Sequence, residues 1–183
     1  KEALKPYLTF QYPITRETFF KGVYKLPEGH SFHYTKDGQF SMTEYWDEDF
    51  EPADETFDQA VDRIEAAVTE SVKAHSFADQ GIKVGSFLSA GVDSSYVTAM
   101  MRPDNTFSIG FDSTYDETKE ARELAAKLNL KNTDAKLTNE EAFHTFPLIQ
   151  YYLDEPDSNP SVVPLYFLTK LAKDNGYKAM LSG

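Results

Sequence analysis

The stretch "SAGVDSS" at residues 89–95 joins two apolar runs and combines residue types that can bind phosphate oxygens. Gly91 permits a backbone with positive φ, so successive N–H groups of the bend could point into one concavity. A helix that follows would add its unpaired N–H groups and the positive end of its dipole. Hydroxyl donors are supplied by Ser89, Ser94 and Ser95. The stretch predicts an anion site, while simple capping of the helix by Asp93 or Ser94 would account for the same residues structurally.

The carboxylate of Asp93 would repel phosphate unless a cation lay between the two groups. Mg²⁺ resolves this conflict, because it binds through one or two carboxylates together with substrate phosphates. The sequence lacks the GxxxxGK[ST] motif, whose lysine reaches the terminal phosphates in ordinary P-loops. We therefore expect Asp93 to hold Mg²⁺.

Composition and charge limit the class of protein. Of the 183 residues, 40% are hydrophobic and 26% are charged, which is typical of a globular protein with a real core. The net charge of −12 argues against nucleic acid or an anionic membrane surface as a partner. Without cysteine the chain has neither a disulfide framework nor a thiol nucleophile. The four histidines show no spacing that suggests a metal site.

The ends of the sequence and its apolar runs bear on location. The longest apolar run, "VVPLYFL", is much shorter than the ~20 residues of a membrane span. Neither a signal peptide nor an initiator methionine opens the sequence. We therefore expect a cytoplasmic fragment that begins and ends within a longer protein.

The elements that would position the phosphate-binding stretch follow from hydrophobic periodicity. Residues 1–50 are predicted to be β structure, with Asp37-Gly38 as the turn of a hairpin. After an acidic linker, short buried strands alternate with amphipathic helices. The strands are expected at "IKVGSFLS", "TFSIGF", "KNTDAKL" and "YKAMLSG". This order predicts an α/β fold with a doubly wound parallel sheet, preceded by a short β hairpin segment.

Capping residues and prolines predict where the helices begin and end. Thr114 and Glu117 fit a capping box for the helix after "TFSIGF". Pro147 is expected to interrupt a second helix, whereas Pro164 and Gly176 suit the first turn and the end of a third. Because ligands of such folds bind at the carboxyl ends of the strands, the turns "LSAGVDSS" and "LSG" should face the same rim.

Several of these stretches carry a resemblance to a known family. "SAGVDSS" resembles the SGGxDSS signature of PP-loop ATP pyrophosphatases, which cleave ATP between its α and β phosphates. "FSIGFDSTYDETKEARELAAKLNL" and "YLDEPDSNPSVVPLYFLTKLAKDNGYKAMLSG" resemble blocks of the synthetase domain of glutamine-hydrolysing asparagine synthetases. "FFKGVYKLPEGHSFHYTKDGQFSMTEYW" resembles the end of their glutaminase domain. The resemblance implies that residues 1–50 end a glutaminase domain and that residues 51–183 begin the synthetase domain.

The resemblance also implies a reaction. The β-carboxylate of aspartate attacks the α-phosphate of ATP in the presence of Mg²⁺, and ammonia derived from glutamine then displaces AMP to give asparagine. The β,γ-pyrophosphate would be bound by the matching residues Ser89, Gly91, Val92, Asp93, Ser94 and Ser95, with Asp93 also as the Mg²⁺ ligand and the catalytic residue. Leu88 and Ile109 match nucleoside contacts, and Ser182 and Gly183 match the start of the family's LSGEGADE-type motif. The resemblance is compatible with a homodimer of the full-length enzyme.

Two departures from the family pattern affect these expectations. Ala90, itself an expected nucleotide-binding residue, replaces the first glycine of the loop, and the sequence stops at Gly183, before the acidic residues of the motif. We therefore expect these 183 residues by themselves not to make asparagine. The acidic loop at residues 151–160 has two interpretations, a role in substrate or ammonia handling or a solvated turn.

Two alternatives to an asparagine synthetase stay open at this point. One is another PP-loop amide-forming or thiolating enzyme, such as a β-lactam synthetase or a relative of GMP synthetase. The other is a non-catalytic ATP-binding or interaction module whose loop has decayed, for which Ala90 is the only indication.

Overall fold

The first 54 residues contain a helix and an antiparallel hairpin. In the computed structural model, which describes residues 4–76, 81–111 and 116–183, helix α1 spans Leu4–Phe10. Strands β1 (His30–Tyr34) and β2 (Phe40–Glu44) pair in antiparallel register. Gly38 has a φ of 85° in the turn between them. The predicted hairpin is confirmed.

Helix α1 differs from the prediction, which assigned β structure to all of the first 50 residues. Pro6 lies in the first turn of this helix, where a missing backbone N–H costs no helical hydrogen bond. The backbone of Gln11 has a φ of 67°, and its N–H donates to the carbonyl of Tyr7 at 2.7 Å. This left-handed residue ends the helix.

A four-stranded parallel sheet organises residues 55–183, which form the second compact unit. Its elements in chain order are α2 (Phe57–His75), β3 (Val84–Phe87), α3 (Val92–Met101), β4 (Asn105–Phe111), α4 (Thr118–Lys127), β5 (Lys131–Leu137), α5 (Asn139–Leu153), α6 (Val162–Asp174) and β6 (Ala179–Leu181). The strand order is β5-β4-β3-β6, and each neighbouring pair is parallel. The predicted α/β class is confirmed.

Two apolar clusters cover the sheet. Leu88, just after β3, packs with Ala121 and Ala125 of α4. The second cluster joins Ile109 of β4 to residues of β5, α5 and α6, including Leu137. The chain runs from β3 outward through β4 to β5 and then returns to place β6 on the opposite side of β3. This reversal between β3 and β6 is a topological switch point, the place where open α/β sheets bind ligands.

Two predicted helix boundaries are wrong. Helix α5 continues through Pro147, since tertiary packing of the helix tolerates the missing hydrogen bond. Helix α4 begins at Thr118 with Glu117 as its N-cap residue, so Glu117 does not lie at the third helical position that a capping box requires. Thr114, the other half of that predicted box, lies outside the described residues. Pro164 lies in the first turn of α6, and Gly176 follows its end with a φ of 82°, as predicted.

Among the described helices, none is both long and apolar enough to span a bilayer.

Candidate functional site

The bend between β3 and α3 is held together by serine hydroxyls. The hydroxyl oxygens of Ser89 and Ser94 lie 2.8 Å apart. The backbone N–H of Ser89 donates to the Ser94 hydroxyl at 3.2 Å, and the N–H of Gly91 donates to the Ser89 hydroxyl at 3.1 Å. These bonds fix the shape of the bend by contacts within it.

Gly91 serves the bend by its size rather than by positive φ. Its φ and ψ of −67° and 149° are those of an ordinary N-cap residue. A Cβ at this position would lie 3.1 Å from the hydroxyl oxygen of Ser89, which is a tight contact. The Gly91 carbonyl accepts from the hydroxyl of Ser95 at 2.6 Å. Ala90 is not among the described residues with positive φ, so its methyl group is compatible with this bend.

The backbone amides of the site fall into two groups. The N–H groups of Ser89 and Gly91 donate within the bend, and that of Ala90 donates to Oε2 of Glu117 at 3.0 Å. In contrast, the N–H groups of the first α3 turn have no hydrogen-bond acceptor among the described residues. They belong to Val92, Asp93 and Ser94. These N–H groups are the ones that could meet an anion.

A cavity of about 290 Å³ opens at the carboxyl ends of the strands. Six of the predicted site residues line it: Leu88, Ser89, Ser94, Ile109, Ser182 and Gly183. The remaining predicted residues, which do not line it, are Ala90, Gly91, Val92, Asp93 and Ser95. The lining is completed by Phe87, Ser108 and Glu117, and by Ser161, Pro164, Leu165 and Leu168 in the first half of α6 and just before it. The cavity therefore combines hydroxyl groups with an apolar wall.

Gly183 brings the two predicted turns into direct contact at the switch point. It follows β6, and a Cβ at this position would overlap the backbone of Asp93 and Ser94 at the start of α3. Only a residue without a side chain can approach the helix so closely. The expectation that "LSAGVDSS" and "LSG" face one rim is thereby met.

Asp93 is exposed beside this cavity. Among the described residues, no hydrogen bond or ion pair engages its carboxylate, in contrast to the carboxylates of Asp116 and Asp134. No group of three or more histidine and acidic side chains that could hold a metal ion occurs in the described part of the chain.

Glu117, which lines the cavity, was not predicted from the sequence, and its position depends on the neighbouring Asp116. Asp116 Oδ1 accepts from the hydroxyl of Thr118 at 2.7 Å and from its N–H at 3.1 Å, and Lys136 lies 3.1 Å from Oδ2. The Thr118 hydrogen bonds and the Lys136 ammonium lower the pKa of the Asp116 carboxyl to about 2. The signal that could have found Glu117 is its place just beyond the carboxyl end of β4, on the rim that carries the bend.

The acidic loop between α5 and α6 is anchored by Gln150. Its side-chain amide donates to the Asp157 carbonyl and accepts from the Asp157 N–H, both at 2.8 Å. Oδ1 of Asp157 accepts from the N–H of Asn159, also at 2.8 Å. These contacts stabilise the conformation of the loop. The loop leads into Ser161, the N-cap residue of α6, which lines the cavity.

Comparison with known proteins assigns the family of the chain. The family model described as asparagine synthase matches residues 63–183, which include the bend, the cavity and the final turn. The chain belongs to the asparagine synthase family. The domain boundary at residue 50 and the individual site residues remain predictions.

Several curated relatives are similar over nearly the whole chain. Asparagine synthetase (glutamine-hydrolysing) 1 of Bacillus subtilis is 34% identical over 94% of this chain and 28% of its own length. A putative asparagine synthetase of Mycobacterium tuberculosis is 33% identical over 99% of this chain and 29% of its own. Asparagine synthetase B of Escherichia coli is 25% identical over 87% and 32%. The chain thus spans less than a third of each of these relatives.

A solved structure shows a weaker likeness. The glutamine-dependent NAD⁺ synthetase of Acinetobacter baumannii, in complex with ADP, aligns with a TM-score of 0.42 and 16% identity. The alignment covers 80% of this chain and 28% of the synthetase. A likeness at this level carries no argument about the site.

Proposed function

We propose that this chain carries the ATP-binding part of a glutamine-hydrolysing asparagine synthetase. The whole protein would join the β-carboxylate of aspartate to ammonia derived from glutamine, with ATP as the source of energy. The observation that carries the proposal is the close approach of Gly183 to the start of α3. Because of this approach, both turns at the switch point line the same cavity. Family membership supports the choice of reaction.

The nucleotide would lie along the cavity, with its phosphates toward α3. The apolar side chains of Leu88 and Ile109 form the wall that suits the nucleoside. The unpaired N–H groups at the start of α3 and the hydroxyls of Ser89 and Ser94 suit the β,γ-pyrophosphate.

In this assignment Val92, Asp93 and Ser94 contribute their backbone, whereas Gly91 and Ser95 hold the bend in shape. Ser182 and Gly183 close the opposite side.

Asp93 fits the role of a magnesium ligand. Its carboxylate is exposed, is not engaged by a described residue, and lies in the first turn of α3, whose N–H groups would face the phosphates. Mg²⁺ typically binds through one or two carboxylates plus phosphate oxygens, so the sparse donor set of this site suits it. When bound, the ion would supply charge neutralisation for the phosphates.

The protein would act on the reaction through positioning and electrostatics. A carboxylate oxygen of aspartate would form a bond to the α-phosphorus while the bond to pyrophosphate breaks, and ammonia would then displace AMP from the acyl carbon. The negative charge that develops on the departing pyrophosphate would meet the N–H groups and dipole of α3. None of these steps requires a covalent bond to the protein.

Calorimetric titration of ATP with Mg²⁺ would test the proposal. We expect the wild-type chain to bind, and we expect Asp93→Ala to lose at least about tenfold in affinity, because a metal-binding carboxylate is removed. Asp58→Ala is the matched control, since Asp58 is an exposed acid in the first turn of another helix, α2, and should change the affinity less than about twofold.

Two outcomes would contradict the proposal. Equal ATP affinity in wild type and Asp93→Ala would remove the metal assignment. Absence of ATP binding in the folded wild-type chain would favour a decayed, non-catalytic module instead.

A further inference from the structure

We propose that the Glu117 carboxylate competes with incoming anions at the candidate site. Because of this competition, the site selects metal-bound polyphosphates over free anions. This inference rests on the proposed function, because it assigns a specificity-determining residue to the same cavity. It concerns a residue outside the SGGxDSS-like stretch and outside every set of site residues predicted from the sequence.

The carboxylate of Glu117 occupies a backbone donor of the phosphate-binding bend. Its Oε2 accepts from the N–H of Ala90 at 3.0 Å, although the two residues are 27 positions apart in the sequence. Glu117 also lines the cavity beside Ser89 and Ser94. A carboxylate oxygen on this N–H makes the same charge-assisted hydrogen bond that a phosphate oxygen would make.

The position of Glu117 is set by its neighbours. Thr118 is 1% exposed, and its hydroxyl and N–H are both bound by Asp116, which in turn lies 3.1 Å from the Lys136 ammonium. A Cβ on Gly110, at the end of β4, would overlap the Asp116 carboxylate. Asp116 therefore fits tightly against the strand, and Glu117 is held where it reaches the bend.

This arrangement has a consequence for which anions can bind. A free anion at the first N–H groups of α3 has to approach the carboxylates of Glu117 and Asp93, and like charges repel. It gains the N–H of Ala90 as a further donor only by displacing Glu117. An anion that arrives with a divalent cation meets attraction instead, because the cation can be shared with carboxylate oxygens. The site should therefore discriminate against metal-free phosphate and pyrophosphate.

Glu117→Gln and Glu120→Gln form a matched pair of variants. Both remove one negative charge from the start of α4, and both side chains are exposed, so the fold should be retained. The glutamine that replaces Glu117 keeps an oxygen that can accept from the N–H of Ala90, so this substitution tests charge rather than shape. Far-UV circular dichroism would verify that both variants are folded.

The experiment is a calorimetric titration of wild type and both variants with two probes. The first probe is inorganic pyrophosphate in the presence of a chelator, and the second is ATP with Mg²⁺. We expect Glu117→Gln to bind metal-free pyrophosphate about tenfold more tightly than wild type, because the competing and repelling charge is lost. Glu120→Gln should stay within about twofold of wild type, because its side chain does not engage the bend.

The two probes separate this inference from the proposed function. Tighter pyrophosphate binding by Glu117→Gln alone supports the competitor role, even where ATP binds none of the three proteins and the proposed function fails. If Glu117→Gln binds pyrophosphate with the affinity of wild type while ATP binding is intact, the competitor role is refuted and the proposed function is retained. An equal gain in Glu120→Gln, or no pyrophosphate binding by any protein, also overturns it.

Discussion

Asp116 shows how a single residue can fix the edge of the candidate site. Its carboxylate accepts two hydrogen bonds from Thr118 and pairs with Lys136 of β5, which links the start of α4 to the sheet. These contacts favour the charged carboxylate and lower its pKa to about 2 from an ordinary 3.8. Because the folded-state pKa is the lower one, the stabilisation is present above about pH 4 and is lost as the pH falls toward 2.

We predict that Asp116→Asn weakens this dependence on pH. The free energy of unfolding of the wild-type chain should fall between about pH 4 and pH 2, and part of that fall should be missing in the variant, since asparagine does not titrate. Urea unfolding followed by circular dichroism across this range would measure it. Asp62→Asn, at an exposed position of α2, is the control. A variant whose stability falls as steeply as that of wild type would refute the role of Asp116.

At the scale of the element, α5 depends on its first turn. The Thr138 hydroxyl accepts from the N–H of Glu141 at 3.2 Å, and the Glu141 carboxylate accepts from the N–H of Thr138 at 2.9 Å. This is a complete capping box. The hydrogen bonds from Thr138 also lower the pKa of the Glu141 carboxyl. Pro147 removes one internal hydrogen bond farther along, so the cap matters more for this helix than for an uninterrupted one.

We predict that Thr138→Ala destabilises the chain by about 1 kcal/mol, the usual cost of losing an N-cap side chain. Thr138→Ser keeps the hydroxyl and should retain most of the stability. The difference would be measured by urea unfolding and by hydrogen exchange of the first α5 amides, which should speed up in the alanine variant. Equal exchange rates in the two variants would argue that packing alone holds the helix end.

At the scale of the whole molecule, the first compact unit ends in an exposed segment that leads into the second. Residues 45–54 have no regular structure, and each is exposed. Glu55 begins the second unit and pairs with Arg63 of α2, and the Thr56 hydroxyl accepts from the N–H of Gln59 to cap that helix. The N–H groups of Tyr45 and Trp46 donate to the Gly29 carbonyl, whereas residues 47–54 lack the repeating backbone hydrogen bonds that protect the helices after them.

We predict that a protease specific for acidic residues cuts first within residues 47–54. The exposed acids Glu120 and Glu123 of α4 are an internal control, because their backbone is hydrogen-bonded within a helix. Mass spectrometry at low conversion should find a product that begins near residue 55 and continues to Gly183. A first cut inside α4 would show instead that the second unit opens more readily than the segment before it.

Local sequence patterns determined much of this protein. Alternation and helical spacing predicted the hairpin and the parallel strands, and the small, polar residues at 89–95 predicted where a site would lie. The uninterrupted α5 was missed because it tolerates Pro147, which local rules disfavour inside a helix. Helix α1 was missed although Pro6 suits the first turn of a helix, because the whole segment was assigned to β structure.

Only the tertiary structure decided which distant groups meet. It placed β6 beside β3, which seats Gly183 against Asp93, and it brought the Glu117 carboxylate to the N–H of Ala90. Periodicity reports which face of an element is buried, but it carries no information about strand order or the partner of a given side chain. Those contacts arise from burial of apolar faces across the whole sheet, and so they appear only once the chain is folded.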